Sequence, residues 1–231
     1  MKKLLKIGGI AALIGAATNL FGLGMYATLL LPKGFGSDDP GEIVAFLANH
    51  QAFMRVFDII IYLVFGVGMI FLSLMLYERL KTGSSALAQA VATFGLIYAV
   101  LVIVVGTLSI NNVSTVVKLY SENPAQAASV WLTLDSVATG LGGGGGETMV
   151  SGIWFLMLSW VALRVRELPR VLNCFGLVVG VAGILTVLLS LLDFIAFVYG
   201  IGLIIWFIWL GIVLLRSNPG DSATTELLSA A

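Results

Sequence analysis

A chain of 231 residues with 59% in the hydrophobic set and 10% charged departs from ordinary soluble domains, in which about a quarter of residues are charged. Its mean hydropathy of +1.06 and formal net charge of zero make lipid the expected solvent and give no footing for a nucleic-acid partner. One cysteine, Cys174, and one histidine, His50, exclude an intramolecular disulfide and a His/Cys metal cluster built from this chain alone, and no metal or cofactor is expected.

A spanning helix needs about 20 mostly apolar residues, and six stretches qualify. Lys2, Lys3 and Lys6 precede an uncharged run over 7–31. This resembles a signal peptide, but the run is about twice the length of an h-region and no small-x-small site closes it. It reads as an uncleaved first span. The connection 32–54 contains SDDPGEIVAFLANHQAF. Asp39 as a cap, Pro40 in the first turn and Glu42 at the positive end of the dipole predict a short helix there. Arg55 and Asp58 stand three apart at the entry to the second span, 56–79, where they can pair on one helical face. The third span, 86–110, holds only Gln89 as a strongly polar group.

The connection 111–146 carries a second candidate helix over 124–139, with Val130, Trp131, Leu134 and Val137 as its apolar stripe. Both connection helices suit either the headgroup level or the mouth of the bundle. LGGGGGE at 141–147 has no strand before it and no Lys-Ser/Thr after it, so it reads as a tight or flexible entry to the fourth span, 147–166, rather than a phosphate loop. Spans five and six, 171–192 and 195–216, are separated by little more than Asp193 and require a tight reversal near 191–197. Residues 217–231 are small and polar and are expected to form a disordered tail.

With the N-terminus inside, Lys2, Lys3, Lys6, Arg79, Lys81, Arg164, Arg166, Arg170 and Arg216 fall on the cytoplasmic side, nine of the twelve basic residues. The positive-inside rule then predicts both termini in the cytoplasm. The expected fold is an all-α polytopic membrane bundle of about six transmembrane helices in three hairpins, forming one domain over 1–216. The even spans look alike: FGVGMIFLSLMLYERLKTG, SGIWFLMLSWVALRVRELP and GIGLIIWFIWLGIVLLRSNPG. The odd spans share glycine near the cytoplasmic start, at Gly8-Gly9, Gly95 and Gly176. Three similar units are suggested.

Few groups can carry chemistry. Asp58, Glu147 and Asp193 each stand where an even span begins. The helix dipole favours acids there without any function, yet the three could also converge as an acidic outer vestibule for a cation or proton. Arg55 and the mid-span Asn19 complete the candidate polar site. Trp154, Trp160, Trp206 and Trp209 fit lipid-facing or interfacial packing. Asn112-Val113-Ser114 matches a glycosylation acceptor. No His-Glu-x-x-His, Cys-x-x-Cys or Gly-x-Ser-x-Gly is present, so no catalytic residue is assigned, and an enzyme would have to rest on paired carboxylates. The leading expectation is a binding or accessory membrane module with its recognition surface on the outer side, partnered by the bilayer and by another protein or a second copy. That reading requires the acids to stand apart in water. The alternative is a small transporter or channel-like protein using those acids, which requires a polar path between helices.

Four stretches, GGIAALIGAATNLFG, GGGGETMVSGIWFLMLSWVALR, LPRVLNCFGLVVGVAG and WFIWLGIVLLR, resemble a bacterial domain-of-unknown-function family, numbered 4386, over most of the chain. The resemblance implies a multi-pass protein of the bacterial plasma (inner) membrane. It brings no catalytic residue, cofactor or substrate.

Overall fold

The computed structural model describes residues 2–188 and 193–216. The expected tail, 217–231, and residues 191–192 of the expected reversal lie outside them, while 193–197, also expected in that reversal, already belong to a helix. The described residues are all-α, and six helical segments are long and apolar enough to cross a membrane. Helix α1 (Lys2–Met25) runs into a π-helical turn, Tyr26–Leu30, and a short 3₁₀ turn, Leu31–Lys33. Helices α2 (Pro40–Asn49) and α3 (Gln51–Asp58) follow. A second π-helical stretch, Ile59–Val64, carries α3 without a break into α4 (Phe65–Leu80). Then come α5 (Ser85–Glu122), α6 (Pro124–Leu141), α7 (Gly146–Val165), α8 (Arg170–Leu188) and α9 (Asp193–Arg216).

The six spans form a closed ring in the order α1, α4, α5, α7, α8, α9, with α9 returning to α1. The tightest pairs are α4 with α5, α7 with α8, and α9 with α1. Each even span is therefore packed most closely on the next odd one. Lipid replaces water around the ring: Ile7, Ile10, Ile14, Phe71, Leu74 and Val178 are all exposed, a surface no soluble monomer tolerates.

The three-unit pattern is visible in the burial. Leu72, Leu158 and Leu210 take one matched position on the even spans, and all are fully buried. In the same register, Met69, Phe155 and Phe207 match, as do Leu76, Ala162 and Leu214, all buried. Trp154 and Trp206 match each other and Gly68, and Ser73, Ser159 and Gly211 match. On the odd spans the matched small residues are Ala12, Gly95 and Gly176, so in the first span Ala12 rather than Gly8 or Gly9 takes this place. A Cβ on Gly95 would lie 2.7 Å from Trp154 Nε1 and closer to Ser73 Oγ; one on Gly176 would lie 2.8 Å from Trp206 Nε1 and closer to Ser159 Oγ. The same three-residue contact is thus built twice.

This corrects the expected role of the tryptophans. Trp154 and Trp206 are fully buried at the centre, ring centroids 5.8 Å apart, and Phe155 and Phe207 stack edge-on among them. Aromatic rings favour such T-shaped contacts. Their indole N–H groups find no partner among the described residues. Trp160 does face outward, with Arg164 5.8 Å over its ring.

The two ends of the ring differ. At one, the turns 81–84 and 166–169 are short, and Arg79 ties them together: Nε lies 3.3 Å from Glu167 Oε2, and Nη2 donates to the Glu167 carbonyl at 2.6 Å. Charge-assisted bonds to a partly buried group contribute roughly 1.5–3 kcal/mol. Arg79→Ala is therefore expected to cost about 2 kcal/mol, read as a lower unfolding temperature in detergent. Arg79→Lys should recover only part of that, because an ammonium cannot fork onto the carboxylate and the carbonyl together.

The other end is capped. Helix α5 is 38 residues long, about 57 Å, against a hydrocarbon core of about 30 Å. It passes position 110 because Asn112, Val113 and Val116 continue its buried stripe and no breaker precedes Pro124. Asp39 and Asn123 cap α2 and α6, accepting from Gly41 N at 2.8 Å and Gln126 N at 3.1 Å. Leu30, Val44, Leu47, Met54, Val116 and Trp131 form a second core beneath them. The connection helices therefore cover the bundle's mouth. His50 belongs to this cap, stacked on Phe46 with Nδ1 2.9 Å from the Phe46 carbonyl.

Candidate functional site: an acidic cavity under the cap

Beneath the cap lies a cavity of about 560 Å³, lined by residues from α1, α3, α4, α5, α6, α7, α9 and both π-helical turns. π-Turns are rare and concentrate at functional sites, because the wider turn re-aims side chains. Here Tyr26 and Leu30 come from the first, and Ile61 and Tyr62 from the second.

Among the described residues three carboxylates line the cavity, Asp58, Glu147 and Asp135, and no lysine, arginine or histidine does. Asp58 is 2% exposed, and its Oδ2 accepts from Ser109 Oγ at 2.9 Å. It does not sit at a helix start. Helix α3 begins seven residues earlier, at Gln51, and the chain stays helical through Asp58, so the N-terminal dipole gives no reason for an acid here. Glu147 does lie in the first turn of α7. Its carboxylate has no hydrogen-bond partner among the described residues, and Tyr62, Tyr98 and Tyr199 line the same cavity. The Tyr199 hydroxyl meets Ser151 Oγ at 2.5 Å.

Among the residues singled out by sequence, Asp58, Glu147 and Asn19 share this cavity. Asn19 donates to the Gly15 carbonyl at 2.8 Å, within its own helix. Arg55 does not take part. It is exposed on α3 and pairs with Ser114 Oγ at 3.4 Å, not with Asp58. Asp193 opens α9, and its side chain lies outside the described residues. Tyr62, Tyr98, Tyr199, Ser109 and Asn112 are additional lining groups. The three-unit register could have found one: Ile61, Glu147 and Tyr199 take matched positions, and all three line the cavity. Asn112 is buried, which removes it as a glycosylation acceptor. The glycine run makes a compact turn, with Gly144 N and Gly145 N bonded to the Gly142 carbonyl at 2.8 and 2.9 Å.

A buried carboxylate without a base beside it is costly in a membrane and marks a ligand path. Among the described residues no three His, Cys, Asp or Glu side chains gather as metal ligands would. Carboxylates ringed by aromatic faces suit an organic cation, which gains both ion pairing and cation–π attraction.

No curated protein and no solved structure matches the chain. A family described as a domain of unknown function, DUF4386, matches residues 7–215, which reaches every span of the ring. This multi-pass membrane protein belongs to the DUF4386 family.

Proposed function

We propose that the protein binds an organic cation in the cavity under the cap, as the binding step of a small transporter or channel-like protein. The observation that carries this reading is a cavity holding Asp58 and Glu147 together, with no base among its described lining residues. An accessory module would need those acids apart and in water. A volume of about 560 Å³ falls in the usual range for small-molecule sites, roughly 300–1,000 Å³. Tyr62, Tyr98 and Trp131 add aromatic faces to the lining. In the orientation favoured by the charge bias, both termini are cytoplasmic and the cavity faces the outer side of a bacterial plasma membrane.

The test is equilibrium binding to the purified protein in neutral detergent, using tetraphenylphosphonium and, as a control of the same shape and opposite charge, tetraphenylborate. The cation is expected to bind at least about tenfold tighter, a difference of about 1.4 kcal/mol. Equal retention of both ions, or of neither, would sink the reading.

A further inference from the structure

We infer that the cavity has a second mouth, sideways between α1 and α9, that takes the apolar tail of an amphiphile whose cationic head sits at Asp58 and Glu147; this rests on the cation-binding reading above. A residue that both lines a cavity and is exposed marks an opening. The exposed lining residues fall into two groups. Asp135, Thr139 and Gly143, on α6 and the turn after it, form one mouth, polar and acidic. Leu23 and Tyr26, on α1 and its π-turn, and Ala196 and Phe197 on α9 form the other. Phe197 is 60% exposed and Tyr26 44%.

The second mouth follows from how the two helices cross. At the short-turn end they touch: a Cβ on Gly9 would lie 3.1 Å from the Gly211 carbonyl oxygen, and one on Gly211 equally close to that of Gly9. Small residues let backbones approach this closely. Towards the cap, the cavity lies between them. The surface flanking this opening is apolar, with Leu20, Phe194 and Val198 exposed, and both helices belong to candidate spans. A water-soluble cation has the acidic mouth at Asp135 and gains nothing from a lipid-facing one. A lipid-facing opening serves a ligand with a hydrocarbon tail, each buried methylene of which contributes about 0.8 kcal/mol.

The experiment is photolabelling of the full chain in nanodiscs with a trimethylammonium amphiphile carrying a diazirine midway along a twelve-carbon tail, mapped by mass spectrometry. Label is expected on 20–26 and 196–201, at least fivefold above that on the exposed face of α8 around Val178. Excess tetraphenylphosphonium should remove the seam label and spare the α8 label. Asp58→Asn and Glu147→Gln should each lower the seam label selectively. Label spread evenly over the lipid-facing helices, while tetraphenylphosphonium still binds, overturns the lateral mouth alone. Loss of tetraphenylphosphonium binding itself in the wild type removes both this inference and the reading beneath it.

Discussion

Asp58→Asn is expected to weaken tetraphenylphosphonium binding at least thirtyfold, about 2 kcal/mol, without lowering the unfolding temperature. The side chain keeps its size, and Ser109 Oγ, which now donates to Oδ2 at 2.9 Å, can donate to the amide oxygen instead. Only the charge is lost. A charge facing a desolvated cation acts through a low dielectric, where a single pair is worth several times its value in water. Folding responds in the opposite sense. An acid that is 2% exposed with no base paired to it among the described residues is a burden on the folded state, and removing it is neutral or stabilising. Glu147→Gln should move binding in the same direction, and the double variant should abolish it. A double variant that binds normally would show that neither acid meets the ligand.

The largest stability effect is expected at the crossing of α7 and α8. A Cβ on Gly180 would lie 2.8 Å from the Gly152 carbonyl oxygen, and one on Gly152 would lie 2.9 Å from that of Gly180. The obstacle is backbone on both sides, so no rotamer change relieves it. Gly180→Val must push the helices apart, which removes the dispersion contacts that hold spans together in lipid. Overpacking alone costs about 1–3 kcal/mol, and loss of the crossing adds to it. Intrinsic tryptophan fluorescence during thermal unfolding in detergent should show an early, broad transition. Gly24 provides the contrast, since a Cβ there meets nothing within 4 Å. Gly24→Ala should stabilise by up to about 1 kcal/mol, because glycine is a poor helix former. A Gly180→Val protein as stable as Gly24→Ala would refute the backbone contact.

Much of the architecture is legible in the chain. Six apolar runs and the gathering of bases at alternate boundaries need only hydropathy and charge. Asp39 and Pro40 announce α2 by their capping chemistry, and the repeated even-span pattern points to three units. What escapes the sequence has physical causes. The π-turns at Tyr26–Leu30 and Ile59–Val64 arise from packing, and no residue type signals them. Asp58 looks like a helix-start acid because hydropathy falls just before it, whereas the helix runs on through Gln51–Asp58. Its three-residue spacing from Arg55 suggests a pair, but burial turns Asp58 inward to Ser109 and leaves Arg55 outside. The usual preference of tryptophan places Trp154 and Trp206 in lipid-facing or interfacial packing. Their matched positions in the even spans are the better guide, since a position repeated about a central axis faces that axis. The cavity itself draws on α1, α3, α4, α5, α6, α7 and α9, and no local pattern could bring those segments together.

The central claim is that one cation occupies the space between Asp58 and Glu147. Tetraphenylarsonium has the shape and charge of the phosphonium probe and carries an anomalous scatterer. Crystals of the protein soaked with it are expected to give one arsenic peak inside the cavity, flanked by these two carboxylates and by Tyr62. A peak only in the apolar groove between α1 and α4, beside Ile10, Val67 and Phe71, or an empty cavity at a concentration where the ion is bound in solution, would contradict it.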